Sequence, residues 1–128
     1  MKKTVLIIDD SEPIRFLLET FLSKKHKVVS AKDGYSAMLW LAKGNKPDLI
    51  ITDIHMPNID GWELIEHLNS NELYSDVPVI VLSGTEAPRE GAAYKIANFI
   101  RKPFDPVNLM SIVDKSMQMA GSAVAITA

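Results

Sequence analysis

Five short runs of apolar residues, most rich in Val and Ile, alternate with stretches of helical character. This alternation constrains the fold more than any other feature of the chain. The runs span residues 4–8, 27–31, 48–52, 77–83 and 98–101. Most are nearly continuous in Val, Ile and Leu rather than alternating with polar residues, as expected of parallel strands covered on both faces. Helical patterns fall near residues 12–24, 35–43, 61–69, 88–95 and 106–118. Strand–helix alternation of this kind predicts one α/β sheet with right-handed crossovers. Local signals agree. Asp60 and Glu63 have capping-box spacing, Asp105 places a capping carboxylate before Pro106, and Lys43-Gly44 reads as a last helical turn ended by glycine.

A chain of 128 residues suits one domain, here expected over residues 1–120 with a frayed tail at 121–128. With 14 basic and 16 acidic residues the formal charge is -2, which leaves no electrostatic footprint for DNA, RNA or an anionic membrane. The absence of cysteine excludes disulfides, thiolate chemistry and cysteine-based zinc sites. Met1-Lys2-Lys3 starts like a signal peptide, but the apolar run behind it is short and stops at Asp9-Asp10. No run reaches membrane-spanning length. A soluble, cytoplasmic domain is the expectation.

Ligands of such sheets sit outside the carboxyl ends of the strands, so the polar residues that fall there matter most. Asp9 and Asp10 follow the first run, Asp53 the third, Ser83 ends the fourth, and Lys102 follows the fifth. Three carboxylates, one hydroxyl and one ammonium thus converge on one rim. Crowded carboxylates repel and call for a cation. A hard divalent ion such as magnesium, held by carboxylates and water, answers that need. Lys102 and the Ser83 hydroxyl can hold phosphoryl oxygens, and phosphoryl transfer asks for little beyond positioning and charge stabilisation. Each residue also has a plainer role. Asp9 or Asp10 can cap the first helix, Asp53 can be a turn residue, Ser83 can end a strand, and Lys102 can be a solvated charge. Their joint placement on one rim favours the chemical reading.

The stretches Val5-Leu6-Ile7-Ile8-Asp9-Asp10, Asp48 to Pro57 with Asp60-Gly61, Pro78 to Ser83, and Lys102-Pro103-Phe104 resemble the response-regulator receiver family. The resemblance runs from residue 3 to about residue 118. It implies a flavodoxin-like, doubly wound five-stranded parallel sheet of order 2-1-3-4-5 with five helices. It also implies a magnesium-dependent switch in which Asp53 takes a phosphoryl group from the phosphohistidine of a sensor histidine kinase or phosphotransfer protein. Such a switch catalyses only its own phosphorylation and slow dephosphorylation, then acts on a downstream protein target. By position, Asp10 would ligate magnesium directly, Asp9 largely through water, and His55 through its carbonyl oxygen, alongside Asp53. Phe99 stands where the family carries an aromatic coupled to the hydroxyl residue, here Ser83; an ordinary core phenylalanine is the other reading. Trp40 and Trp62 read as packing residues. The chain between Ser83 and Lys102 is shorter than is usual in the family and carries Pro88 and Gly91, so the fourth helix is expected to be short or irregular.

Two rival classes remain. An aspartyl-nucleophile phosphatase of the haloacid dehalogenase type would want an acid two residues after Asp53, where His55 stands. A pseudo-receiver that never meets phosphate would have no need of the acidic pair with Asp53, Ser83 and Lys102. The Lys102-Pro103 bond is expected to be cis, turning the chain while the lysine points back over the rim.

Overall fold

The computed structural model describes residues 2–84 and 94–120, the side chains of 119 and 120 excepted. The elements in chain order are β1 (Thr4–Ile8), α1 (Glu12–Leu22), β2 (Lys27–Ala31), α2 (Gly34–Ala42), β3 (Leu49–Thr52), α3 (Gly61–Ser70), β4 (Val79–Ser83), β5 (Asn98–Arg101) and α4 (Pro106–Ala120). The strands form one parallel sheet of order β2-β1-β3-β4-β5, the flavodoxin-like arrangement.

The continuous apolar runs explain the sheet's position. In a strand, successive side chains point to opposite faces. Leu6, Ile8, Ile50, Val79 and Val81 enter one core with α2 and α3, while Val5, Ile7, Leu49, Ile51, Ile80 and Leu82 enter a second core with α1 and α4. β1, β3 and β4 are therefore buried on both faces. β2 and β5 form the sheet edges and keep exposed residues such as Lys27, Ser30, Asn98 and Arg101.

The helix ends follow local chemistry. Ser11, not Asp9 or Asp10, caps α1, its hydroxyl accepting from the Ile14 amide at 3.4 Å. Asp60 accepts from the Glu63 amide at 2.9 Å, and Asp105 from the Val107 amide at 3.2 Å. Gly44 closes α2 at φ 94°, a left-handed conformation that favours glycine. α1 stops at Leu22, two residues short of the expected end, with the Ser23 amide bonded back to Glu19. β4 begins at Val79 rather than Val77; Pro78 has no amide proton for a ladder.

Four helices, not five, lie among the described residues. The helix expected at 88–95 falls mostly outside them, as does the tail at 121–128. Tyr94 and Lys95, at the end of that stretch, are not helical. The Asn69 side chain pairs with Lys95 in both directions, accepting from its amide at 2.8 Å and donating to its carbonyl at 3.2 Å. The Ala97 amide then joins the Val79 carbonyl at 2.7 Å. The chain thus enters β5 tied to α3 through the Asn69 side chain. Among the described residues, no helix is long and apolar enough to cross a membrane.

Candidate functional site

The chain leaves β1 for β2 on one side of the sheet and returns to β3 on the other. The carboxyl ends of β1 and β3 therefore flank the topological switch point, where ligands of such sheets sit. Asp9 and Asp53 continue their ladders one residue past the strands. The Asp9 amide donates to the Ala31 carbonyl at 3.1 Å, and the Asp53 amide to the Ile8 carbonyl at 2.9 Å. Both main chains are thereby set side by side before any side-chain contact is made.

The side chains meet there. Ligand oxygens of Asp9, Asp10 and Asp53 all lie within 4.8 Å of one another. Asp9 and Asp53 are buried, at 1% and 6% exposure, whereas Asp10 is exposed. Lys102 enters from β5, its amide donating to the Ser83 carbonyl at 2.9 Å and extending that ladder. The Lys102–Pro103 peptide bond is cis, as expected. The Lys102 ammonium lies 2.9 Å from Asp9 Oδ2 and 3.5 Å from Asp53 Oδ2. Asp9 Oδ1 accepts from the Ser11 amide at 2.9 Å, and Asp53 Oδ1 from the Ile54 amide at 2.7 Å.

Burial pushes the Asp53 carboxyl above the ordinary aspartate range, and the neighbouring charges of Asp9 and Asp10 push the same way. Lys102 and the Ile54 amide pull against them. One ammonium thus pairs with two of three clustered carboxylates, all hard oxygen donors. That set fits a divalent cation such as magnesium, which keeps several waters and takes only one or two carboxylates directly.

Ser83 ends β4 fully buried, on the strand next to Asp53. His55 is exposed on the loop after β3, and its ring nitrogens fall outside the carboxylate cluster. Phe99 lies apart from the carboxylates. It is half-buried against the α2–α3 core, its ring near-parallel to Trp62 at 6.5 Å. Trp62 in turn stacks on Tyr94 at 4.7 Å. Trp62 is buried and Trp40 half-buried, both packed into this core as expected.

Three contributors escaped the sequence. Thr52, fully buried, donates its hydroxyl to the Asp53 carbonyl at 2.9 Å. Gly61 brings α3 hard against the Asp53–Ile54 backbone: a Cβ there would lie 2.7 Å from Ile54 Cα and also strike the Asp53 carbonyl. Arg15 donates from Nη1 to the Asp9 carbonyl at 2.7 Å. A glycine directly after the capping Asp60 was a visible sign of the close approach. Nothing in the spacing of Arg15 and Asp9 marks their contact.

The profile of the response regulator receiver domain matches residues 5–114. The chain is 33% identical over 113 residues to protein PilG of Pseudomonas aeruginosa, covering 85% of this chain and 83% of that one. It is 35% identical over 124 residues to the response regulator GtcR of Aneurinibacillus migulanus, matching 94% of this chain but 50% of the relative. The chain thus spans about half the length of GtcR. Among solved structures, the chemotaxis response regulator CheY4 of Vibrio cholerae superposes with a TM-score of 0.81 at 29% identity, covering 91% of this chain and 99% of that one.

Proposed function

The chain belongs to the response regulator receiver domain family of two-component signalling, and on that premise we propose that Asp53 is its phosphoacceptor in a magnesium-dependent switch. The observation that carries this reading is the placement of Asp53. It is a buried carboxylate at the end of the central strand β3, clustered with Asp9 and Asp10 and faced by the Lys102 ammonium.

In the proposed reaction an Asp53 carboxylate oxygen attacks phosphorus. The P–N bond to a kinase or phosphotransfer-protein histidine breaks, and the imidazole leaves with the bonding pair. Lys102 holds charge that builds on the transferred oxygens, and the Ser83 hydroxyl, at the adjacent strand end, donates to another. Asp9, Asp10, Asp53 and the His55 carbonyl would hold magnesium, which when bound offsets repulsion between carboxylate and phosphoryl group. The output is a change of surface around Ser83 and Phe99 read by a downstream protein. The domain is a signalling switch rather than an enzyme with turnover. Its place is the cytoplasm, where a kinase is charged from ATP.

Incubation with magnesium and a small acyl phosphate, followed by intact-mass analysis, tests this. One phosphoryl adduct is expected on the wild type and none on Asp53→Asn, which keeps the shape but removes the nucleophile. An adduct on that variant, or many turnovers without one, would overturn the assignment.

A further inference from the structure

Asp9 is held at four atoms. Its amide joins the ladder to Ala31, Oδ1 accepts from Ser11, and Oδ2 pairs with Lys102. Those three bonds follow from the sheet, the turn into α1 and the site's own charge. The fourth is of another kind. Arg15, in the first turns of α1, reaches back six residues and donates from Nη1 to the Asp9 main-chain carbonyl at 2.7 Å in a part-buried setting. The distance is that of a short, charge-assisted bond.

Its consequence falls on Asp10. A peptide unit is planar, so tying the Asp9 carbonyl orients the whole unit joining Asp9 to Asp10. The unit on the other side of Asp10 is tied too, because the Ser11 amide donates to Asp9 Oδ1 at 2.9 Å. With both flanking planes set, the φ and ψ of Asp10 are set, and so is the direction of its Cβ. Asp10 is exposed and has no core packing to aim it. Of the two ties, the Ser11 bond is internal to the turn. The Arg15 bond fastens that turn to the body of α1, whose helix is anchored in turn by the Arg15 amide on the Ser11 carbonyl at 3.0 Å.

We infer that Arg15 is a positioning residue for divalent-cation binding, aiming the Asp10 carboxylate through the Asp9 carbonyl. This rests on the reading of Asp9, Asp10 and Asp53 as a magnesium site. A plain electrostatic role gives the opposite sign. A guanidinium near a cation site repels the cation, so its loss by Coulomb's law alone would tighten binding. Loss of a positioning contact weakens it.

Magnesium titration of the purified chain, followed by calorimetry, compares the wild type with Arg15→Met, Arg15→Lys and Asp10→Asn. Met keeps the packing stem and removes the donor; Lys keeps a donor and the charge. Arg15→Met is expected to raise the half-saturating magnesium concentration roughly tenfold, as losses of outer-shell partners do, with Arg15→Lys recovering part of the loss. At saturating magnesium, the rate of phosphoryl uptake from an acyl phosphate should return to the wild-type value, a KM-type effect without a kcat-type one. Magnesium binding that is unchanged or tighter in Arg15→Met overturns the inference. A wild type that binds no magnesium overturns instead the site reading beneath it. Should Arg15→Met fail to fold, Arg15→Leu, which also lacks a donor, carries the same comparison, with circular dichroism in chelator establishing that it is folded.

Discussion

Replacing Gly61 by alanine should damage stability and phosphoryl uptake together. Gly61 opens α3, and its amide donates to the Ile54 carbonyl at 2.8 Å. An added Cβ would sit 2.7 Å from both Ile54 Cα and Ile54 Cδ1 and would press on the Asp53 carbonyl. Carbon atoms in contact rest at about 3.5–4.0 Å, so a movement of about 1 Å is needed. The Ile54 side chain can turn away. The backbone cannot, because the Asp53 amide is tied to Ile8 and the Ile54 amide to Asp53 Oδ1. Overpacking of this kind costs about 1–3 kcal/mol, and the stiffer unfolded chain of alanine offsets about 0.4–1 kcal/mol of it. A net loss of about 1–2 kcal/mol remains. At about 2.1 cal/mol/K per residue the unfolding entropy of 128 residues is about 0.27 kcal/mol/K, so the melting midpoint should fall by about 4–7 °C. Phosphoryl uptake should slow by about tenfold or more, since displacements approaching 1 Å at a reacting group cost up to about a hundredfold. Thermal melts by circular dichroism and a time course of adduct mass measure both effects. Gly34→Ala is the control: its Cβ would meet Ile59 at 3.4 Å, a contact that small adjustment absorbs. Its stability should stay within about 1 kcal/mol of the wild type. A Gly61→Ala protein that melts at or above the wild-type midpoint and takes phosphate at the wild-type rate would refute the reasoning.

Asp53→Asn should raise the melting midpoint without magnesium, by a margin that depends on pH. The folded chain holds the Asp53 proton above the ordinary value of 3.8, so wild-type stability is lost as pH rises from there through the raised folded value. The gap to Asp53→Asn should therefore close at acid pH and open toward neutrality; a constant gap would count against it. Lys102→Met leaves Asp9 and Asp53 without their ammonium. Because Lys102 is 22% exposed, water tempers the penalty to about 1–3 kcal/mol. Uptake should fall by about a hundredfold or more, and an unchanged rate by intact mass would remove Lys102 from the mechanism. Binding of beryllium fluoride with magnesium, a stand-in for the phosphoryl group on Asp53, should alter hydrogen exchange at amides 94–101. α2 is the proper control, since Trp62 ties α3 to Tyr94 and Phe99. Unchanged exchange with the mimic bound would send the signal through another face.

The sheet and its order, the cis bond at Lys102–Pro103 and the convergence of Asp9, Asp10, Asp53 and Lys102 were all legible along the chain. The strand order came with the resemblance to the receiver family; the rest was carried by continuous apolar runs for strands buried on both faces, polar residues where those runs stop, and turn residues at fixed offsets. What the sequence could not carry depends on how the elements pack in space. The cap of α1 is Ser11, directly before Glu12, while Asp9 bonds Lys102 and the Ser11 amide. The approach to β5 is not helical at Tyr94 and Lys95, where the Asn69 side chain, on another element, satisfies the Lys95 backbone in both directions. Phe99 met Trp62 because α3 packs on the sheet face that Phe99 also lines, close to the Asp53–Ile54 backbone, which Gly61 permits by lacking a Cβ. Arg15 reaches the Asp9 carbonyl through the turn of a helix that only docking on the sheet orients. Local pattern placed the charged groups on one rim; how near they stand and which partners hold them follow from packing, because a hydrogen bond or steric contact changes over fractions of an ångström that residue order does not encode.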